Sequence, residues 1–151
     1  MIALRLLISI AVLPGLVAIA LPWIIVGNAP PIGSWLGLVP IAFGVALSIW
    51  CVLLFARAGR GTPAPWDPPR RFVAVGPYRA VRNPMYLGVG SVILGEALLF
   101  GSWSLAAYLA VVAVVWHLFV VAYEEPTLER QFGEEYRRYR TSVPRWLPRL
   151  T

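Results

Sequence analysis

Two long stretches without charge constrain this chain more than any other feature. No Asp, Glu, Lys or Arg occurs between Leu6 and Ala56, and between Asn83 and Tyr123 the one formal charge is Glu96. About 20 apolar residues in a row are enough for a helix to cross the hydrocarbon core of a bilayer. Charged residues make up 13% of the 151-residue chain, whereas about a quarter is usual in soluble domains. The pattern predicts an all-α integral membrane protein and excludes a soluble Rossmann-type enzyme, a disordered chain and a disulfide scaffold.

Turn-forming residues divide the apolar stretches into four predicted transmembrane helices within one domain, residues 1–151. The spans are expected at about residues 3–26, 34–56, 84–100 and 103–123. The first is longer than the 7–15-residue apolar core of a signal peptide and lacks a small-residue cleavage site before a polar region. We therefore predict that it is a retained span, bent near Pro14 and Pro22.

The basic residues predict the orientation of these helices. All 13 are Arg. Arg5 lies at the very start of the first span, and the others lie in the 57–83 loop or after the fourth span. Because basic residues stay on the cytoplasmic side, both termini and the loop are expected to be cytoplasmic. The predicted location is the plasma membrane of a bacterium or archaeon. The net charge of +6 then suits anionic lipid headgroups, and no nucleic acid is expected as a partner.

The two polar segments have different predicted structures. Residues 57–83 are rich in Pro and Gly, which is typical of an irregular loop. Residues 126–140 are predicted to form a cytoplasmic amphipathic helix, because four apolar or aromatic residues share one stripe at helical spacing. The four are Leu128, Phe132, Tyr136 and Tyr139.

Several kinds of catalytic site are excluded by residue counts. One His, one Cys and scattered carboxylates do not supply a metal site at ordinary spacing, so no metal is expected. Asp67 is the single Asp, which leaves no Ser-His-Asp set, and no phosphate-binding glycine motif follows a strand. Hydrolase, kinase and dinucleotide-binding functions are all disfavoured.

The remaining candidate site lies where the third span begins and the fourth ends. Asn83 is predicted to cap a helix that starts at Pro84, so that free backbone N–H groups can bind an anionic group. Glu124 and Glu125 can bind an amino group or ribose hydroxyls. Such a site suits a zwitterionic ligand with a flat ring. Ordinary interfacial anchoring by Tyr, Trp and Arg explains the same residues equally well.

Two segments resemble a known enzyme superfamily. GPYRAVRNPMYLG at 76–88 and EEPTLERQFGEEYRRYRTSVPRWLP at 124–148 resemble the isoprenylcysteine carboxyl methyltransferases and phospholipid methyltransferases, over about residues 60–149. The resemblance implies an integral-membrane enzyme that uses S-adenosylmethionine to methylate a small or lipidic amphiphile, either isoprenylcysteine carboxylate-like or phospholipid amine-like. A non-catalytic membrane protein that binds anionic lipids through its arginine-rich face is the alternative.

The resemblance also implies which residues contact the cofactor. These are Arg71, Phe72, Val73, Tyr78, Asn83, Pro84, Met85, Tyr86 and Glu124. Aromatic rings can pack on adenine, helix-start amides can bind the methionyl carboxylate, and a glutamate can accept hydrogen bonds from ribose or the ammonium group.

This chain departs from the superfamily pattern at two positions. Asn83 stands where His is frequent, but Asn still donates a hydrogen bond. Val120 stands one helical turn before the Glu pair, where the prenylcysteine enzymes have an Arg associated with the substrate carboxylate. A prenylated protein C-terminus is therefore disfavoured as the substrate.

Two residues are predicted to serve the chemistry itself. Displacement at an activated methyl group needs mainly alignment and exclusion of water, and a carboxylate acceptor needs no base. An amine acceptor must lose a proton, and Glu125 is the candidate base. Arg82 is the candidate for binding a lipid phosphate or substrate carboxylate. The alternative is that Arg82 only orients the protein, with its side chain reaching the membrane interface.

Two polar residues lie inside the predicted spans. Glu96 is about 18 Å into the third span and His117 about 9 Å from the end of the fourth, at 1.5 Å per residue. We predict that Glu96 is protonated and bonded to a neighbouring helix, and that His117 serves packing. Small residues of the third span, namely Gly88, Gly90, Ser91 and Gly95, predict close helix packing.

Overall fold

The computed structural model describes residues 11–59 and 72–148, which form helices joined by turns with no strand among them. Helix α1 has a wide π-helical part, Ala11–Ala20, which is followed by an α-helical part, Leu21–Val26. Helix α2 begins with a 3₁₀ turn, Trp35–Gly37. It continues as an α-helix, Leu38–Leu54, and ends in a wide turn, Phe55–Gly59. Helix α3 is Pro84–Phe100. Helix α4 comprises Trp103–Phe119, a wide turn at Val120–Glu124, and Glu125–Phe132, and α5 is Glu134–Ser142.

Local capping signals set the starts of α2 and α4. The Ser34 and Ser102 hydroxyls accept hydrogen bonds from the first turns of α2 and α4. Gly101, at a φ of 60°, makes the tight connection between α3 and α4. Residues 3–10 of the first predicted span lie outside the described residues.

Two of these helices are long and apolar enough to cross a membrane. They are Trp35–Arg57 and Trp103–Phe132, while Pro14–Val26 and Pro84–Phe100 are shorter apolar helices. Large apolar side chains remain exposed along the two long helices, among them Trp35, Val39, Trp50, Val111, Val115 and Leu118. A soluble monomer rarely exposes so much contiguous apolar surface.

Glycines bring the backbones of α2 and α3 together. A Cβ atom at Gly95 would lie 2.4 Å from the Gly37 carbonyl oxygen, and one at Gly44 would lie 2.3 Å from the Gly88 oxygen. Contacts this close are available to small residues alone. The predicted packing role of Gly88 and Gly95 is confirmed.

The two other small residues of α3 have different contacts. A Cβ at Gly90 would meet its nearest neighbours at 3.7 Å, an ordinary distance. The Ser91 hydroxyl donates a hydrogen bond to the Leu87 carbonyl of its own helix. The α2–α3 approach therefore depends on Gly88 and Gly95 rather than on all four predicted residues.

We expect Gly95→Ala to lower the melting temperature of the detergent-solubilised protein strongly. The added methyl group meets backbone atoms of Gly37 and Ile41 at 2.4 and 2.9 Å, so the two helices must separate. Overpacking of this kind costs about 1–3 kcal/mol or more. Gly90→Ala is the matched control on the same helix, and its gain in helix propensity should leave stability unchanged or higher. Equal melting temperatures for the two variants would contradict this packing arrangement.

The predicted bounds of the C-terminal helix, 126–140, are wrong. Helix α4 continues without interruption through Glu125–Phe132, and Gly133 ends it at a φ of 53° before α5 begins. Pro126 follows the wide turn Val120–Glu124 directly, in the first turn of Glu125–Phe132. The predicted aromatic stripe survives the break, since residues from both sides of Gly133 pack on the ring of Phe72.

Candidate functional site

A tight turn brings the loop that follows α2 onto the helices. The turn Gly76–Arg79 begins with Gly76 at a φ of 59°. Tyr78 is buried there, and its ring packs edge-on against Phe55 with centroids 5.6 Å apart. The Tyr139 hydroxyl donates a 2.6 Å hydrogen bond to the Tyr78 carbonyl oxygen. Tyr78 thus links the end of α2 to α5.

The side chain of Tyr78 lies in a buried cluster with Cys51 and Val73, against which Met85 packs. Burial raises the pKa of Tyr78 well above its ordinary value, and nearby Cys51 and Glu124 raise it further. The phenol therefore stays neutral and keeps its proton for hydrogen bonding.

The start of α3 meets the end of the wide turn in α4. The Tyr86 hydroxyl donates a 3.0 Å hydrogen bond to Oε2 of Glu124. The Tyr86 ring packs on Trp116, with centroids 5.2 Å apart. Wide turns inserted in α-helices occur frequently at functional sites, and Glu124 is the last residue of this one. Two predicted cofactor residues, 38 positions apart in sequence, are thus in direct contact.

The neighbouring Glu125 is buried between two arginines. Arg145 donates from Nε to Oε1 at 2.7 Å and from Nη2 to Oε2 at 3.0 Å. Nη1 of Arg82 lies 2.9 Å from Oε1. Arg82 Nε and Nη1 are buried and have no hydrogen-bond acceptor in the described part of the chain, so this contact is an ion pair without hydrogen-bond alignment. The hydrogen bonds to Glu125 raise the pKa of Arg145.

This arrangement bears on the predicted roles of Glu125 and Arg82. Both carboxylate oxygens of Glu125 are already engaged by guanidinium groups, Oε1 by Arg145 and Arg82 and Oε2 by Arg145. The guanidinium of Arg82 is largely buried beside Glu125, with its side chain 11% exposed. The geometry therefore joins the two residues to each other rather than to open space.

Asn83 occupies the predicted cap position, but its side chain does not cap the helix. Its Nδ2 donates to the Arg145 carbonyl oxygen at 3.3 Å, because the segment after α5 packs against this turn. The backbone N–H of Arg82 likewise donates to Pro144 at 2.9 Å. Pro84 is the first helical residue, as predicted, and has no N–H. The free amides of the first turn therefore belong to Met85 and Tyr86.

The side chains of two other predicted cofactor residues, Phe72 and Val73, pack on residues other than Glu124. The Phe72 ring contacts the rings of Phe132, Tyr136 and Tyr139, with centroids 4.9–5.8 Å apart. Val73 belongs to the Cys51 cluster. Arg71 lies outside the described residues. Phe72 and Val73 thus hold the loop in place beside the Tyr86–Glu124 pair.

The segment after α5 supplies residues that the sequence did not single out. Trp146 donates from Nε1 to Nδ1 of His117 at 3.1 Å, and its ring packs against Tyr86 at 6.2 Å. Arg145 holds Glu125. The two prolines around these residues indicated an irregular segment after a helix, but nothing in the sequence indicated which helices it would contact.

Glu96 lies beside a small cavity within the helices. Its Oε2 atom is buried and has no hydrogen-bond partner among the residues that the structure describes. The carboxyl group lines a cavity of about 40 Å³ whose other walls are mostly apolar, including Trp23, Phe100 and Leu105. The nearby Tyr108 hydroxyl bonds to the Val17 carbonyl instead. Among residues 11–59 and 72–148 Oε2 has no partner, so the bond of Glu96 to a neighbouring helix stays a prediction.

The polar groups around Tyr86 fit a zwitterionic ligand with a flat ring. The Glu124 carboxylate can accept hydrogen bonds, and the N–H groups at the start of α3 can donate them to an anion. Tyr86 and Trp116 present aromatic rings beside these groups. Within residues 11–59 and 72–148, no group of three or more His, Cys, Asp or Glu side chains could hold a metal.

Comparison with known proteins gives a consistent result. The family model described as phospholipid methyltransferase matches residues 32–135, which include Tyr86, Glu124 and Glu125. An uncharacterized protein from Haemophilus influenzae is 38% identical over 63 residues, which are 42% of this chain and 100% of that relative. No solved structure matches the chain. Because the family model covers more than half of the sequence, this protein belongs to the phospholipid methyltransferase family.

Proposed function

We propose that this protein transfers a methyl group from S-adenosylmethionine to a lipidic or small amphiphilic acceptor at the cytoplasmic face of a membrane. The observation that carries the proposal is the hydrogen bond between Tyr86 and Glu124. It joins the two sequence segments that resemble methyltransferases, and the family match covers both residues.

A bilayer setting with four spans is part of the proposal. The exposed apolar side chains of α2 and α4 support it, as does the clustering of Arg57, Arg79 and Arg82 where α2 ends and α3 begins. Under the positive-inside rule that end faces the cytoplasm. The Tyr86–Glu124 pair would then lie at the cytoplasmic interface, within reach of a soluble cofactor and of lipid headgroups.

The chain's own residues suit the cofactor that the family implies. When bound, S-adenosylmethionine supplies a methyl group activated by its sulfonium charge. Glu124 would accept hydrogen bonds from the ammonium group or the ribose, and Tyr86 would hold that carboxylate in place. The amides of Met85 and Tyr86 would donate to the cofactor carboxylate. Tyr78 and Asn83 would support this helix start from the loop side.

Glu125 and Arg82 are proposed to position the site rather than to transfer protons. Glu125 fixes Arg82, whose backbone immediately precedes Asn83 and Pro84 at the start of α3. The contacts of Glu125 with both Arg82 and Arg145 support this role. They favour it over the general base and anion-binding roles that the sequence alone suggested. An amine acceptor would then lose its proton to solvent at the interface.

The acceptor is proposed to resemble a phospholipid amine rather than a prenylcysteine carboxylate. Val120, which replaces the Arg of the prenylcysteine enzymes, is fully buried in the wide turn of α4. Position 120 therefore supplies no cation that could bind a substrate carboxylate.

We accordingly expect little or no methyl ester formation on acetylated farnesylcysteine. A charge-assisted hydrogen bond contributes about 1.5–3 kcal/mol, so its loss should reduce turnover about tenfold or more. The measurement compares this substrate with phosphatidylethanolamine vesicles at the same enzyme and cofactor concentrations. Faster turnover of the farnesylcysteine would show that another cation replaces the missing one.

Binding of S-adenosylhomocysteine tests the proposed function directly. Calorimetry of the purified full chain in detergent should give saturable heat with one site per chain. The alternative, a scaffold that binds anionic lipid, predicts no such heat. In that alternative the arginines would bind lipid, but the charges of two of them are already partly neutralised within the protein. Arg137 and Arg140 pair with Glu129 at 2.8 and 3.0 Å.

A further inference from the structure

The side chain of Trp146 bridges α3 and α4 beside the Tyr86–Glu124 pair. Its ring packs on Tyr86 from α3, with centroids 6.2 Å apart and planes at 70°. Its indole N–H donates to Nδ1 of His117 on α4 at 3.1 Å. Trp146 therefore contacts both of the helices that supply the proposed site.

The contact between Trp146 and His117 lies beside the exposed apolar surface of α4. His117 is exposed, and neighbouring α4 side chains are exposed too, with Val114 at 59% and Leu118 at 60%. His117 precedes Glu124 by seven residues, about 10 Å along the helix. Trp146 thus reaches about two turns back from Glu124 along a surface that suits lipid chains.

The backbone before Trp146 is fixed far more firmly than its side chain. Pro144 and Arg145 accept hydrogen bonds from Arg82 and Asn83, and the Arg145 guanidinium holds the buried Glu125. The indole ring is held by one hydrogen bond and by ring contacts. Beyond it, Leu147 is 79% exposed. The ring can therefore swing away from Tyr86 while the preceding backbone stays in place.

We infer that Trp146, held by His117, is the gate through which a lipid acceptor enters sideways from the bilayer to reach Tyr86 and Glu124. The inference rests on the proposed function for the identity of the site. A lipid headgroup that approaches along the exposed side of α4 meets His117 and the indole before it meets Tyr86. Trp146 and His117 thereby determine access and specificity for the acceptor and leave the cofactor contacts unchanged.

The test uses a phosphatidylethanolamine that carries a photoreactive diazirine on its acyl chain near the headgroup. The full-length protein is irradiated with this lipid in mixed micelles without cofactor, and the adducts are mapped by mass spectrometry. Trp146→Ala should increase adducts on the 84–90 segment at least about threefold. Trp146→Phe keeps the ring but loses the bond to His117, so it should give a smaller increase. Trp103→Ala removes a Trp that is 89% exposed at the other end of α4 and is the matched control.

Two further measurements separate this inference from the function it rests on. S-adenosylhomocysteine titrations should give the same affinity in all variants within about threefold, and melting curves should verify that each variant is folded. Unchanged adducts in folded Trp146→Ala, with normal S-adenosylhomocysteine binding, would overturn the gate and leave the proposed function standing. A larger adduct yield without S-adenosylhomocysteine binding in any variant would support lipid access past Trp146 but overturn the cofactor site.

Discussion

Glu125→Gln should lower the free energy of unfolding of this protein by about 3–5 kcal/mol, the usual effect of breaking a buried ion pair by removing one partner. The buried Glu125 carboxylate is contacted by both Arg82 and Arg145. Loss of its charge leaves two guanidinium groups without a counter-charge, and Arg82 already has buried nitrogen atoms without an acceptor in the described residues.

The measurement for Glu125→Gln is reversible unfolding of the detergent-solubilised protein, followed by helix content. Glu135→Gln is the matched control, because it makes the same change at an exposed position of α5. Such surface changes are usually within about 0.5 kcal/mol of wild type. If the two variants are equally stable, Glu125 does not organise the start of α3, and its proposed positioning role is wrong.

Glu124→Gln should weaken S-adenosylhomocysteine binding by about ten- to a hundredfold. The expected loss is one hydrogen bond to a charged group, about 1.5–3 kcal/mol. The fold should be retained, because the amide oxygen of Gln can still accept the hydrogen bond from the Tyr86 hydroxyl. Calorimetric titration measures the affinity.

Glu96→Gln is the control for Glu124→Gln, because it makes the same chemical change in α3, about 18 Å from the start of that helix. It should leave S-adenosylhomocysteine affinity unchanged. Unchanged affinity in Glu124→Gln would remove the main acidic contact from the proposed site. A large loss in folded Glu96→Gln would mean that the binding site extends along α3 to the Glu96 cavity.

Local signals account for the features of the fold that the sequence predicted. Helices α2 and α4 begin after Ser34 and Ser102, whose hydroxyls accept hydrogen bonds from the first turn. Helix α3 begins at Pro84, where a missing N–H does no harm. Each signal involves residues within one helical turn, so the chain's remaining structure does not affect it.

The contacts that the sequence did not predict join residues that are far apart in the chain, and several chemically similar residues could have formed each of them. Any of 13 arginines could have paired with Glu125, and Arg145 does so because the segment after α5 folds back onto the start of α3. The same contact takes the Asn83 side chain away from its predicted capping role. Gly133 interrupts an otherwise continuous helical pattern, and its backbone conformation became evident only in the structure.

The resemblance named Tyr86 and Glu124 among nine cofactor contacts, and the structure places these two in hydrogen-bond contact. The same resemblance grouped Phe72 with them, but its ring packs among the aromatic residues around Gly133. A motif residue can contact the ligand, or it can pack against the residues that do. The sequence pattern does not distinguish these two roles.

Methyl transfer in native-like membranes tests the central claim most directly. Bacterial membranes that contain the overproduced protein would be incubated with S-adenosylmethionine labelled in its methyl group, and the extracted lipids would be separated by chromatography. We expect a labelled amine phospholipid that is absent from membranes without the protein, strongly reduced with Glu124→Gln and retained with Glu135→Gln. The absence of labelled lipid from membranes whose protein is folded and binds S-adenosylhomocysteine would contradict a lipid acceptor. Labelling that does not depend on Glu124 would contradict the proposed site.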